Sequence, residues 1–137
     1  MILGLLIVIK YTQTIMFIHL PIEIWQCILN SLDFKSQITM RMVCKLFYEK
    51  LEIWDFDRIP YKYIEKLTDI ILLAYPFIRY LWASYNPKIT DVNHLTNLQK
   101  LWAFGNCGID DTGIKDLKNL IILNAYGNPK ITKKLIK

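Results

Sequence analysis

Two periodicities divide the chain. Between Leu20 and Ile59 apolar residues recur every three to four positions, the spacing of an amphipathic helix. Ile24, Ile28 and Leu32 form one stripe behind Leu20-Pro21, where a proline suits a first helical turn and Glu23 favours the helix N-terminus. A turn, Asp33-Phe34-Lys35-Ser36, places Ser36 to cap a second helix carrying Ile38, Met42, Val43, Leu46 and Phe47. Leu51 and Trp54 follow, and Pro60 closes the unit, so residues 19–60 predict a small helical module. Ile64, Leu67, Ile71 and Ala74 keep helical spacing up to Pro76. Residues 61–76 therefore predict a linker helix that caps the next segment.

Beyond Pro76 the pattern becomes short and repetitive. Ile78-Arg79-Tyr80-Leu81-Trp82-Ala83-Ser84-Tyr85-Asn86 superimposes on the segment from Leu98 to Asn106 and on that from Leu120 to Asn128, at periods of 20 and then 22 residues. Ile89, Ile109 and Ile131 each follow the repeated Asn by three positions. Repetition at this period marks a solenoid, each copy giving one short strand to a parallel ladder. Leu81 and Ala83 and their counterparts point inward. The repeated Asn (Asn86, Asn106 and Asn128) suits a buried position where its amide satisfies backbone groups at a bend. The extra residues of the second copy, Asp110-Asp111-Thr112-Gly113, fall on a connection between strands.

Strand alternation predicts the outward rows: Tyr80, Lys100 and Ile122; Trp82, Trp102 and Asn124; Ser84, Phe104 and Tyr126. The rings and the lysine of these rows (Tyr80, Trp82, Lys100, Trp102, Phe104 and Tyr126) form a candidate target-binding face, since exposed aromatic clusters are what protein interfaces use. The competing expectation is that these rings pack on each other or under the linker.

Composition changes the picture in three places. The net charge of +5 is concentrated at one end, because Lys130, Lys133, Lys134 and Lys137 lie in the last eight residues. The remaining 13 basic residues face 12 acidic ones, so the body carries no footprint for nucleic acid. Met1 to Ile9 is apolar but about half the length of a membrane span, with no basic residues before it and no small-residue cleavage site after it. Residues 1–18 read as an N-terminal extension or extra packing strand, with a signal or membrane anchor as the alternative. Ile, Lys, Asn and Tyr supply 52 of 137 residues, all with A/T-rich codons, which bears on source and leaves open a host cytoplasm as the place of action.

Candidate chemistry is sparse. Three widely spaced cysteines and two histidines, without a CxxC pair, argue against both a disulfide scaffold and a zinc site. No nucleophile–base pair or glycine-rich phosphate loop accompanies them, so neither an enzyme nor a cofactor is expected. Cys44 reads as a small buried hydrophobe.

The helical segment resembles the F-box family. Leu20, Pro21, Glu23, Ile24, Ile28, Leu32, Ile38, Arg41, Val43, Cys44, Lys45, Phe47, Tyr48 and Trp54 follow its order without gaps, over about 40 residues; Phe34-Lys35 in the turn departs from the usual small or acidic residues. The resemblance implies a non-catalytic adaptor of a cullin-RING (SCF-type) ubiquitin ligase. Leu20, Pro21, Ile24, Ile28 and Val43 would dock the Skp-family adaptor and, through it, the cullin complex. Residues 77–137, with their LxxLxAxxNxxI pattern, resemble leucine-rich repeats that would hold a protein substrate. The fold class expected is thus α+β, a helical F-box-like module followed by a short leucine-rich-repeat solenoid, acting in the cytoplasm or nucleus. A ligase-independent repeat binder and a membrane-tethered or secreted repeat protein are the alternatives.

Overall fold

The computed structural model describes residues 20–57 and 59–132. The apolar run Met1 to Ile9 and the end from Lys133 lie outside the described residues. The chain divides into two compact units, Met1–Leu51 and Glu52–Lys137.

The first unit holds α1 (Ile22–Asn30), α2 (Phe34–Arg41) and α3 (Lys45–Lys50). Pro21 is the N-cap of α1, with Glu23 in the first turn. Helix α1 is apolar on two sides. Its inner side buries Leu29 completely and sets Trp25 against Phe47, ring centroids 4.9 Å apart. Its outer side is the Ile24–Ile28 stripe.

The second helix differs from expectation in two ways. Its cap is Asp33, whose carboxylate accepts from the Ser36 backbone N–H at 3.1 Å and from Ser36 Oγ at 2.8 Å, so Ser36 lies inside the first turn. The helix also breaks at Met42–Cys44, where the backbone at Cys44 is extended, before α3 begins. Arg41 ties the break together: its guanidinium donates to the Tyr48 carbonyl at 3.0 Å and lies over the Tyr48 ring. Cys44, expected in the interior, is exposed at the cap of α3.

The second unit is built on a four-stranded parallel sheet in sequential order: β1 (Asp55–Phe56), β2 (Tyr80–Trp82), β3 (Lys100–Trp102) and β4 (Ile122–Asn124). With the helices before it, the sheet makes the architecture α+β. The three sequence copies pair in the register their alignment requires, Tyr80 beside Lys100 beside Ile122 and Trp82 beside Trp102 beside Asn124. Leu81, Ala83, Leu101 and Ala103 are fully buried beneath them. The hydrogen bonding repeats with the sequence. The N–H groups of Arg79 and Tyr80 both reach the Trp54 carbonyl, those of Gln99 and Lys100 reach Arg79, and those of Ile121 and Ile122 reach Gln99.

That ladder begins one rung earlier than the sequence copies suggest. Asp55 pairs with Tyr80 and Phe56 with Leu81, so Ile53 and Phe56 occupy the core positions of Ile78 and Leu81. The segment after β1 is two short helices, α4 (Tyr61–Ile64) and α5 (Asp69–Leu72), rather than one continuous linker helix. Thr68 caps α5 by accepting from the Ile71 N–H. Ile64, Leu67 and Leu72 are buried, while Ile71 and Ala74 are exposed.

The buried asparagines act at the bends. Asn86 Nδ2 donates to the carbonyls of Ile64 (2.7 Å) and Leu67 (3.0 Å), and its Oδ1 accepts from Lys88 N–H. Asn128 donates to the Ile109 carbonyl at 3.0 Å and accepts from Lys130 N–H. The middle copy departs from this pattern. Asn106 is exposed, and Cys107 takes the interior instead, while the next N–H, that of Gly108, donates to the Asn86 carbonyl at 3.1 Å. Burial raises the Cys107 thiol pKa above its ordinary value, so it sits there as an uncharged apolar group. Gly108 is what lets the chain pass, since a Cβ there would lie 2.5 Å from the carbonyl oxygens of Pro87 and Ile89.

Candidate functional site

Two surfaces stand out, one on each unit. On the first, Leu20, Ile24, Ile28 and Val43 are 46%, 45%, 37% and 44% exposed, and Pro21 is exposed beside them. Met42, Leu46 and Tyr48 extend this apolar exposure. A helix apolar on two sides buries only one of them inside a unit of this size. The other side leaves its apolar residues exposed, as a surface that takes a protein partner does. The expected docking residues are therefore all at the surface, and Met42 and Leu46, which helical spacing assigns to the packed face of a single second helix, join them because the helix breaks between Arg41 and Lys45.

On the second unit the outer face of the sheet carries an aromatic array. Trp82 and Trp102 stack with centroids 6.1 Å apart and planes 19° from parallel, as their register in β2 and β3 dictates. Phe104 meets Trp82 edge-on at 5.3 Å. Tyr80 lies edge-on to Trp54 at 5.5 Å, and Lys100 Nζ sits 4.7 Å above the Tyr80 ring. Arg79 covers the Trp54 ring at 5.9 Å. The rings are half-buried by one another, and Tyr126 stands 87% exposed at the end of the same face.

Two positions on this face differ from expectation. Ser84, assigned outward by alternation, is fully buried, because regular strand geometry ends at Trp82 and the chain turns inward; its Oγ accepts from the Phe104 N–H at 3.1 Å. Trp54 joins the aromatic face, although its place in the helical motif pointed elsewhere; the signal for it was the Ile53-x-x-Phe56 spacing, which matches Ile78-x-x-Leu81. Tyr85, exposed just beyond β2, is a further ring of this unit, lying against Gly105. Its φ is +59°, in the region where the equivalent positions carry Gly105 and Gly127. A non-glycine residue there costs about 1 kcal/mol or more.

Among the described residues no three His, Cys, Asp or Glu side chains come together as a metal site, and no helix is long and apolar enough to cross a membrane. Asp33 and Asp110 are held below the ordinary carboxylate value. The causes are the Ser36 hydroxyl and N–H for Asp33, and the Thr112 hydroxyl with the Gly113 N–H for Asp110. Both carboxylates are turn caps, with structural work to do.

Residues 17–59 match the F-box domain family, less than a third of the chain. No curated protein and no solved structure matches the chain. The family match supports an F-box protein. F-box domains bind Skp-family adaptors, and their presence implies an adaptor role in SCF-type ubiquitin ligases, a role that is generally non-catalytic. The matched residues run past Leu51 into β1, so the end of the family motif is also the first rung of the sheet.

Proposed function

We propose that this chain is a substrate-recruiting adaptor of an SCF-type ubiquitin ligase. Leu20, Pro21, Ile24, Ile28 and Val43 dock the Skp-family subunit that links to the cullin, and the sheet unit, read as a short leucine-rich-repeat array, holds a target protein. The observation that carries this is the coincidence of the F-box match with an uncovered apolar surface on the same helices.

The mechanism asks no chemistry of the chain. A target held on the sheet face has its lysines kept at high effective concentration near the ubiquitin-charged enzyme, which converts a bimolecular transfer into a nearly intramolecular one. Such a ligase acts in the cytoplasm or nucleus, and that is where we place the protein.

The test is a pull-down of the tagged chain from eukaryotic cytosol, probed for the Skp-family adaptor and the cullin, beside a Leu20/Pro21/Ile24 triple-alanine variant. Capture by the intact chain and loss in the variant supports the ligase role. A folded sample that captures neither overturns it and leaves a repeat-based binder.

A further inference from the structure

Arg79 and Lys100 are the cations of the aromatic face, and both are held by rings rather than by acids. Arg79 lies over Trp54 and Lys100 over Tyr80. Neither is within salt-bridge distance of a described carboxylate. Asp55, the acid in the Tyr80–Lys100 row, is turned to its own chain, where it accepts the Asp57 N–H at 3.0 Å. The face thus presents two positive groups at the start of β2 and β3, linked through the Trp54 and Tyr80 rings, on the sheet that also carries the stacked pair Trp82–Trp102 and the edge-on ring of Phe104. A cation lying on a ring keeps N–H donors free for a second partner while losing part of its rotamer freedom beforehand, which lowers the entropy cost of pairing.

At the far end of the same strands Tyr85 is kept at a positive φ with its ring exposed. The sheet itself does not need a side chain there, since the next two rungs use glycine. Backbone strain of this kind at an exposed ring marks a residue retained for contact.

We propose that this face takes an acidic segment of a target protein. Arg79 and Lys100 pair with its carboxylates, Trp82, Trp102 and Phe104 cover its apolar atoms, and Tyr85 closes the far end. The proposal rests on the reading that the sheet unit holds the target, and goes beyond it in naming the chemistry of that target. Charge complementarity decides the class: among the described residues neither cation has a carboxylate partner, so an acidic ligand satisfies them. A nucleic acid also stacks on aromatic rings, but outside the last eight residues 13 basic residues face 12 acidic ones, which gives no basic track for a phosphate backbone.

The test uses the full chain, immobilised and panned against a random-peptide phage library, with an oligouridine probe measured separately by fluorescence anisotropy. The expected result is enrichment of Asp- and Glu-rich peptides that also contain apolar residues. The Arg79→Glu/Lys100→Glu variant should bind these peptides about tenfold or more weakly, and Trp82→Ala/Trp102→Ala should lose them. Arg79→Gln/Lys100→Gln gives the same reading should charge reversal disturb the fold, which circular dichroism reports. Peptides that depend on the tryptophans but show no acidic bias overturn the acidic assignment and leave the target face standing. No enriched peptide, or enrichment indifferent to both pairs of substitutions, overturns the face as well. Lys100-dependent capture of oligouridine overturns the proposal in favour of RNA.

Discussion

The ring of Tyr85 fills the space that a Cβ on Gly105 would need. Both residues have positive φ, +59° and +57°, and they occupy equivalent places on adjacent rungs, one with a large side chain and one with none. The pairing is therefore directional: a ring on the first rung demands a glycine on the second. Gly105→Ala meets two penalties, the left-handed backbone and the collision with Tyr85, and should destabilise the sheet unit by about 2 kcal/mol. Tyr85→Gly relieves its own backbone strain and removes the obstacle. In the double variant Gly105→Ala should then cost only about 1 kcal/mol, a coupling that a double-mutant cycle in urea reads directly. Equal costs in both backgrounds would show that the two positions do not communicate.

Asn86 and Asn106 share a place in the sequence repeat but not in the structure. Asn86 is 3% exposed and makes three hydrogen bonds to backbone groups, whereas Asn106 faces solvent. Replacing Asn86 by alanine removes the donor to the Leu67 carbonyl, the acceptor of the Lys88 N–H and one of the two donors to the Ile64 carbonyl, and should cost about 1–3 kcal/mol. Replacing Asn106 should change stability by about 0.5 kcal/mol or less. Chemical denaturation of the two variants side by side checks this, and similar midpoints would overturn the distinction.

These contrasts explain what a reader of the sequence can recover. Leu81, Ala83 and their copies fix the register because a strand period of two and a repeat of fixed length leave one pairing that buries them all. The first rung stays hidden, since Ile53 and Phe56 lack a downstream Asn and lie where the helical motif also claims Trp54. Asn106 misleads because its neighbour Cys107, small and apolar, takes the buried place without altering the length of the repeat. Ser84 misleads because strict alternation was carried past the end of the strand. The exposed side of α1 is legible only as excess: Trp25 and Leu29 suffice for packing, so Ile24 and Ile28 are left over. What covers them needs the family resemblance.

Acid should weaken the β3–β4 connection selectively. The Thr112 hydroxyl and the Gly113 N–H bind the charged form of Asp110 and hold its pKa below the ordinary carboxylate value. A group depressed in the folded state contributes stability that is present above its unfolded pKa and is lost as pH falls through the folded one. Asp110→Asn should therefore flatten the acid limb of the stability curve below about pH 4, with little change near neutrality in the shape of the curve. An unchanged pH profile in the variant would show that the turn does not need the charge.

The apolar surface of the helical unit should tolerate charge without unfolding. Met42 is 75% exposed and lies at the helix break beside Val43. Met42→Asp should leave the thermal midpoint within about 2 °C of the parent, as surface substitutions usually do. Placed on the docking surface, the same carboxylate must be desolvated on binding and should weaken adaptor capture at least about tenfold. Adaptor binding at parental affinity would move the interface away from the break and restrict it to α1.

The stacked tryptophans offer the cleanest separation of the two surfaces. Trp102 is half-buried against Trp82 and contributes both to the sheet and to whatever the sheet holds. Trp102→Ala removes one ring of the pair, a loss of about 1 kcal/mol of stability from the stack itself. Target capture should fall further, by about 2 kcal/mol or some thirtyfold, because an aromatic anchor at the centre of a contact surface carries a disproportionate share of its energy. Skp-family binding depends on residues of the other unit and should be unchanged. A variant that loses target and adaptor together has unfolded as a whole, and one that loses the adaptor alone would place the docking contact on the sheet unit, contrary to the assignment made here for Leu20, Ile24 and Ile28.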